Sequence, residues 1–360
     1  MVDHCKVLKA VAVIGHFAFG MEYLDGQTVK TKIVTDALCT HFGASSIVKF
    51  DTHGGWKSLL RAPFQSISAL RRARNVIILP AHNGLRIYAP LLSVLRVFFP
   101  SRKLHYVVIG GWLPEFLAKR PRLASHLKRF DAIYVETSSM QRALCRQGFD
   151  NILVMPNCKE LQILHPDELV YHTAEPYPLC TFSRVIKEKG IEDAVNAVKA
   201  VNQTLGRTAY TLDIYGPVAP EQSDWFAALQ AAFPDFIHYR GSVPFDQTTS
   251  VLKDYFALLF PTHFYTEGIP GSIIDAYAAG IPVISAKWES FDDVISDGHT
   301  GIGYPFNEYT MFLEQLSAAV SIPDRIQSMK PLCIQKAESY LPDQALQPLF
   351  TRLTHCCINK

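Results

Sequence analysis

The segment Ala257-Leu-Leu-Phe-Pro-Thr-His-Phe-Tyr-Thr-Glu267-Gly-Ile-Pro-Gly-Ser-Ile-Ile-Asp275-Ala-Tyr-Ala-Ala-Gly-Ile-Pro-Val-Ile-Ser holds the residue types with the clearest chemical use. It reads as a buried strand, a polar loop, a short helix and a second strand. Pro270 suits the first helical turn, Gly280 suits the position just after the helix, and Ile273, Ile274 and Tyr277 give the helix an apolar face. The start of such a helix presents unpaired backbone N–H groups and positive potential, so a phosphate could bind there. Gly268 and Gly271 leave that start approachable, with Ile269 and Ser272 on the same turn. Glu267 precedes the helix and Asp275 lies about one turn inside it. Two carboxylates are poor partners for a bare phosphate, but they accept hydrogen bonds from sugar hydroxyls. A phosphate joined to a sugar on each side satisfies both facts.

A loop of this kind needs a sheet to carry it, and the rest of the chain supplies the pattern for two. The 360 residues suggest two globular domains, and 48% apolar against 19% charged residues excludes global disorder. Short apolar runs at 11–17, 46–50, 76–80, 105–109, 132–135 and 152–155 alternate with helical patterns such as 28–42 and 125–130. That alternation signals a parallel sheet covered on both faces. A polar, proline-containing stretch from His165 to Pro178 reads as a crossover. The series then restarts with runs at 179–182, 210–215, 237–239, 257–260 and 282–285, and with helices such as 190–202 and 222–232. The expected organisation is a first Rossmann-like domain over 1–160, a linker over 161–178, a second Rossmann-like domain over 179–335, and a helical segment over 336–360 able to pack back on the first. The expected fold class is α/β, two doubly wound parallel sheets facing a cleft. Ligands then lie beyond the carboxyl ends of the strands.

The phrase running from Glu267 through Asp275 to Val283 resembles the hallmark of the group 1, or family 4, glycosyltransferases with the GT-B fold. There two acids, normally both Glu, are separated by seven residues, as Glu267 and Asp275 are. The resemblance implies that Glu267 touches the donor sugar. It also implies that Asp275, one methylene shorter than the usual Glu, meets the ribose hydroxyls. Phe182-Ser-Arg184-Val-Ile-Lys-Glu-Lys189-Gly is similar to a second family motif, which makes Arg184 and Lys189 the pair that grips the donor diphosphate. The chemistry agrees, since a departing nucleoside diphosphate gains negative charge that preorganised cations stabilise. Tyr215 and Gly216, and Ser242 and Val243, stand where the family frames the nucleotide base. Gly26 and Gln27, in a loop that also holds Asp25, stand where the family meets the diphosphate and acceptor. His16, His82, Asn83, Gly84 and Trp112 are candidates for the acceptor side, and His105 is a third histidine of note. The family mechanism is retaining, without metal or other cofactor. The leaving phosphate accepts the acceptor's proton by front-face displacement, and Glu267 is the nameable carboxylate for an alternative double displacement.

Charge is divided unevenly: residues 1–160 carry 22 Lys/Arg against 10 Asp/Glu, and the rest carry 13 against 23. The basic half interleaves Lys57, Arg61, Arg71, Arg72, Arg74, Arg86 and Arg96 with large apolar residues around Trp56, Phe64 and Phe98. Such a pattern would suit a peripheral contact with anionic lipid and a lipid-diphosphate acceptor. It lacks a nucleic-acid reading motif. No membrane-spanning run or export leader is expected, which points to the cytoplasm. The eight cysteines show neither C-x-x-C spacing nor a disulfide framework. The leading expectation is a retaining transferase that takes sugar from a nucleotide donor to a saccharide or lipid-linked acceptor in bacterial surface-polysaccharide assembly. Two other classes stay open. A nicotinamide oxidoreductase on paired Rossmann-like domains is disfavoured because no G-x-G-x-x-G follows a strand. A non-catalytic saccharide-binding protein would bind donor without consuming it.

Overall fold

The structure is a computed structural model that describes residues 8–21, 26–55 and 60–358, the last four as backbone only. It divides into two compact units, one made of residues 1–160 and 342–360 and the other of 161–341. The first is built on β1 (Lys9–Gly15), β2 (Ile47–Asp51), β3 (Ala73–Ile78), β4 (Lys103–Val107), β5 (Ala132–Val135) and β6 (Ile152–Val154), all parallel in the order β2-β1-β3-β4-β5-β6. The second repeats the plan with β7 (Tyr177–Phe182), β8 (Tyr210–Tyr215), β9 (Ile237–Gly241), β10 (Ala257–Phe260), β11 (Val283–Lys287) and β12 (Gly301–Pro305), in the order β12-β11-β10-β7-β8-β9.

Alternating side chains explain why each sheet needs cover on both faces. In β1, Ala12 and Ile14 enter one core while Val11 and Val13 enter another. In β10, Ala257 and Leu259 face one core while Leu258 and Phe260 face the other. Unbroken apolar runs are what a parallel strand covered by helices on both sides requires. The strand Gly301–Pro305 has two glycines and no such run, so it escapes sequence reading.

The order of each sheet reverses once, between β1 and β3 in the first and between β7 and β10 in the second. At such a reversal the loops leaving the two strands diverge and open a crevice outside their carboxyl ends. Two local expectations are corrected. The helix expected over 125–130 is Pro121–Leu127, because Pro121 fits its first turn. Pro270 is the cap residue of the helix Gly271–Ala278 and not a member of its first turn.

Candidate functional site

At the reversal of the second sheet, the loop after β7 meets the loop after β10. The turn Lys187–Lys189 ends on Gly190, whose φ is 70°. A Cβ there would lie 1.9 Å from the Pro261 carbonyl oxygen, so only glycine seats the two loops together. The His263 N–H donates to the Glu188 carbonyl at 2.9 Å, a second link between them. This seating delivers Lys189 Nζ to Glu267 Oε1, an ion pair whose side chains are 14% and 16% exposed. Lys189 Nζ also lies 5.3 Å from the Phe260 ring centroid and 5.2 Å from that of Phe264. The Thr262 hydroxyl reaches the same Glu267 oxygen at 3.4 Å and accepts the Phe264 N–H at 3.1 Å. Aromatic faces and the threonine thus confine both charges to one geometry.

Glu267 leads directly into the helix Gly271–Ala278. Pro270 is extended, with φ −66° and ψ 130°, and its carbonyl accepts the Ile273 N–H at 3.1 Å. The amides of Gly271 and Ser272 belong to the first turn, which a helix cannot satisfy internally. Gly268 and Ile269 are buried behind that turn, and Gly271 and Ser272 are half-buried. Asp275 is 6% exposed, on the buried side of the helix. At the other end the Gly280 N–H donates to Tyr277 and the Ile281 N–H to Ala276, which closes the helix.

The loops after β7, β8 and β9 are joined in the same manner. Gly216 has φ 129°, and a Cβ on it would lie 1.8 Å from the Ser183 carbonyl oxygen. Its N–H donates to Gly241, and its carbonyl accepts the Tyr239 hydroxyl at 2.9 Å. Tyr215 is turned inward, its hydroxyl 2.8 Å from that of Tyr255, which donates to Asp213 Oδ2 at 2.6 Å. Burial raises the Tyr255 pKa, as do its hydrogen bonds to Asp213 and Tyr215. Ser242 is exposed and Val243 half-buried, just beyond β9. Arg184 is exposed on the β7 loop; its carbonyl accepts the Ser183 hydroxyl at 3.2 Å, and its side chain makes no hydrogen bond or ion pair among the described residues.

In the first unit, residues from two diverging loops meet at its own reversal point. Gln27 Nε2 donates to the Leu79 carbonyl at 3.3 Å, linking the helix Gly26–Phe42 to the end of β3. A Cβ on Gly26 would meet no atom within 4 Å, so the space before it is open. His16 Nδ1 lies 2.7 Å from Thr28 Oγ1 and its Nε2 lies 3.1 Å from His53 Nδ1. Burial raises the Asp51 pKa, but the backbone N–H groups of His53, Phe17, Phe19 and Ala18 outweigh it and hold the carboxyl below its ordinary value. Asp51 thereby fixes the loop that carries His16. His82 stacks on Trp112 with centroids 3.8 Å apart, and burial together with the Arg120 charge lowers its pKa. Trp112 Nε1 donates to the Ile109 carbonyl at 2.7 Å, Asn83 is exposed, and a Cβ on Gly84 would fall 2.8 Å from Pro80 Cβ. Gly84 therefore serves helix packing. His105 is fully buried between Asn75 and Tyr134, and burial pushes its pKa down to about 4, a neutral internal histidine.

Sequence reasoning missed Lys30 and Glu136. Lys30 Nζ lies 2.5 Å from Glu136 Oε1 with both side chains 3% exposed, and the same oxygen accepts the Gly110 N–H at 3.0 Å. Lys30 also donates to the Val108 carbonyl at 3.1 Å. This buried pair fixes the strand end that carries Trp112. No local signal marks it, because the partners are 106 residues apart.

Two Rossmann-like parallel sheets, with the Lys189–Glu267 pair at the reversal of the second, make up the GT-B fold. Residues 177–321 match the model of the family described as glycosyl transferases group 1. Among similar solved structures are Alr3699/HepE of Anabaena in complex with UDP and the lipopolysaccharide outer core galactosyltransferase WaaB in its apo form. HepE is 13% identical, with a TM-score of 0.75 over 97% of this chain and 100% of that one. WaaB is 15% identical, with a TM-score of 0.70 over 97% and 99%. The GtfA/B complex is 20% identical with a TM-score of 0.64, covering 83% of this chain, which spans 60% of that one. At such identities the likeness is one of fold. No curated protein sequence is similar to the chain.

Proposed function

We propose that the chain is a retaining glycosyltransferase that moves a sugar from a nucleotide-sugar donor to a saccharide or lipid-linked acceptor, in the assembly of a bacterial surface polysaccharide. The observation that carries this reading is the Lys189–Glu267 pair, held at the strand-order reversal beside the first turn of the helix Gly271–Ala278. Cations, helix amides and carboxylates there suit a pyrophosphate placed between two sugars. In this reading Arg184 and Lys189 take up the charge of the leaving diphosphate, Glu267 orients the donor sugar, and Asp275 holds the ribose. The bond from the anomeric carbon to the phosphate oxygen breaks as the acceptor oxygen attacks from the same face. The leaving oxygen accepts the acceptor's proton, so neither a side-chain nucleophile, a metal nor a cofactor is required. HepE is known bound to UDP-glucose, which makes UDP-sugars the first donors to test. Glu267→Gln and Arg184→Ala are each expected to lower turnover about 10²- to 10³-fold with an unchanged unfolding midpoint. Full turnover in both rejects the assignment.

The second part of the proposal is that the first unit docks on the inner leaflet of an anionic membrane from the cytoplasm. Phe64, Val97 and Phe98 are 79%, 73% and 75% exposed, with Leu60 and Val94 also exposed. They lie on or beside the helices Ala62–Arg72 and His82–Leu95 and the turn Arg96–Phe98, near the exposed Arg61, Arg71 and Arg72. One expected contributor, Arg96, and the neighbouring Arg102 are spent internally. Arg96 pairs with Asp131 at 3.1 Å and donates to the Arg129 carbonyl, and Arg102 donates to the Leu70 carbonyl and to Ser101. Trp56, Lys57 and Asp25 lie outside the described residues. No described helix is long and apolar enough to cross a membrane. Flotation with phosphatidylglycerol vesicles tests this part, and no recruitment at moderate salt rejects it.

A further inference from the structure

A cavity of about 460 Å³ opens in the first unit between the helices His82–Leu95 and Pro121–Leu127. Three arginines, Arg86, Arg120 and Arg122, and His126 line it, over an apolar floor that includes Pro90 and Leu123, with no Asp or Glu in the lining. Elsewhere the chain neutralises three arginines, with Arg96 on Asp131, Arg207 on Glu175 and Arg240 on Asp213. Around the cavity it does not: the Arg86 and Arg122 side chains make no hydrogen bond or ion pair among the described residues. The nearby Glu115 is committed to Lys119 at 2.7 Å.

Arg120 is held in place by Phe116. Its guanidinium carbon lies 3.8 Å from the Phe116 ring centroid, and Nη1 donates to the Phe116 carbonyl at 3.0 Å. The stack and that single bond leave the remaining N–H groups of its fork available. Uncompensated positive charge in a concave site focuses the field on an incoming anion, and guanidinium forks match phosphate oxygens in pairs. A carboxylate offers two oxygens to three forks, whereas a phosphate offers more, which favours phosphate. Burial is the larger cause of the lowered His82 pKa, and the Arg120 charge adds to it.

We propose that this cavity binds the phosphate or diphosphate group of an ester whose organic part rests on the Pro90 and Leu123 floor. The inference stands on the cavity, and only the UDP used in its test to occupy the second unit's site rests on the sugar-transfer reading. Its source is either a soluble phosphate ester or a lipid headgroup, and the experiment separates them. Inorganic pyrophosphate is titrated calorimetrically into the full chain held at saturating UDP, which keeps the second unit's site occupied. Capture by phosphatidic acid vesicles, against phosphatidylcholine vesicles, is measured in parallel. Arg86→Ala with Arg122→Ala is expected to weaken the bound probe about 100-fold, roughly 10-fold for each charge-assisted hydrogen bond lost. Arg86→Lys with Arg122→Lys is expected to recover part of that loss. UDP affinity and the unfolding midpoint should not move. Pyrophosphate binding alone identifies a soluble ester, and arginine-dependent vesicle capture alone identifies a headgroup. The proposal is overturned if the unsubstituted chain takes up neither probe, or if the double alanine variant takes up both as well as it does.

Discussion

Gly190 offers a direct test of how the second unit assembles its site. Alanine there incurs the left-handed backbone cost of about 1–2 kcal/mol. Its Cβ also falls 1.9 Å from Pro261 O, 2.7 Å from Pro261 C and 2.9 Å from Pro261 Cγ. Overpacking of this kind adds about 1–3 kcal/mol. Gly206 separates the two contributions, since its φ is 63° and a Cβ on it meets no atom within 4 Å. Gly206→Ala should therefore cost only the backbone part, and Gly190→Ala about 2–5 kcal/mol in all. For a unit of this size each kcal/mol is worth about 2–4 °C, so midpoints lower by about 4 °C and about 10 °C are expected. Relief of the clash also requires the two loops to part by roughly 1 Å, and misplacement on that scale costs about 10²-fold in rate. Thermal unfolding and donor turnover measured on both variants decide the matter. If Gly190→Ala matches Gly206→Ala in both, the seating of the β7 loop on the β10 loop does not position Lys189.

Asp275→Asn should raise the KM for donor about 10- to 100-fold, the loss of a charge-assisted hydrogen bond, with a smaller change in kcat. Initial rates over a donor series read both, and an unchanged KM refutes the ribose contact. Lys330 is fully buried, donates to the Tyr255 carbonyl at 3.0 Å, and burial pushes its pKa down to about 8. Between pH 8 and the unfolded value near 10.5 the unfolded chain binds the extra proton, so stability contributed at this site rises with pH across that window. Relative to Lys330→Met, the native chain should gain up to about 3 kcal/mol from pH 8 to pH 10.5. Denaturant melts at the two pH values measure this, and a constant difference refutes it.

What could be read without coordinates was local. Pro270 and Gly280 bracket a short helix through turn chemistry confined to a dozen residues, and apolar runs such as 257–260 announce strands buried on both faces. The order of the strands was not legible, because pairing β7 with β10 joins Leu179 to Ala257 across the intervening β8 and β9. That pairing creates the reversal at which Lys189 meets Glu267. The same limit hid Lys30 and Glu136, which look like a solvated cation and acid until the first sheet forms. It also made Arg96 look available, when Asp131 and the Arg129 carbonyl hold it. His105 looked chemically useful in sequence because nothing local shows that both sheet faces around it are covered.

The helix Gln347–Ile358 completes the first unit after the whole of the second has been traversed. Leu346, Leu349, Phe350 and Leu353 share a core with Val34, Leu38 and alternate residues of β1. A ribosome therefore finishes the uninterrupted span 161–341 while the earlier unit still shows water the greasy flank those four side chains will hide. Excising 1–160 as a fragment would leave that flank permanently bare, so aggregation of such a fragment would report a missing lid from residues 342–358 and not a failure of the sheet itself.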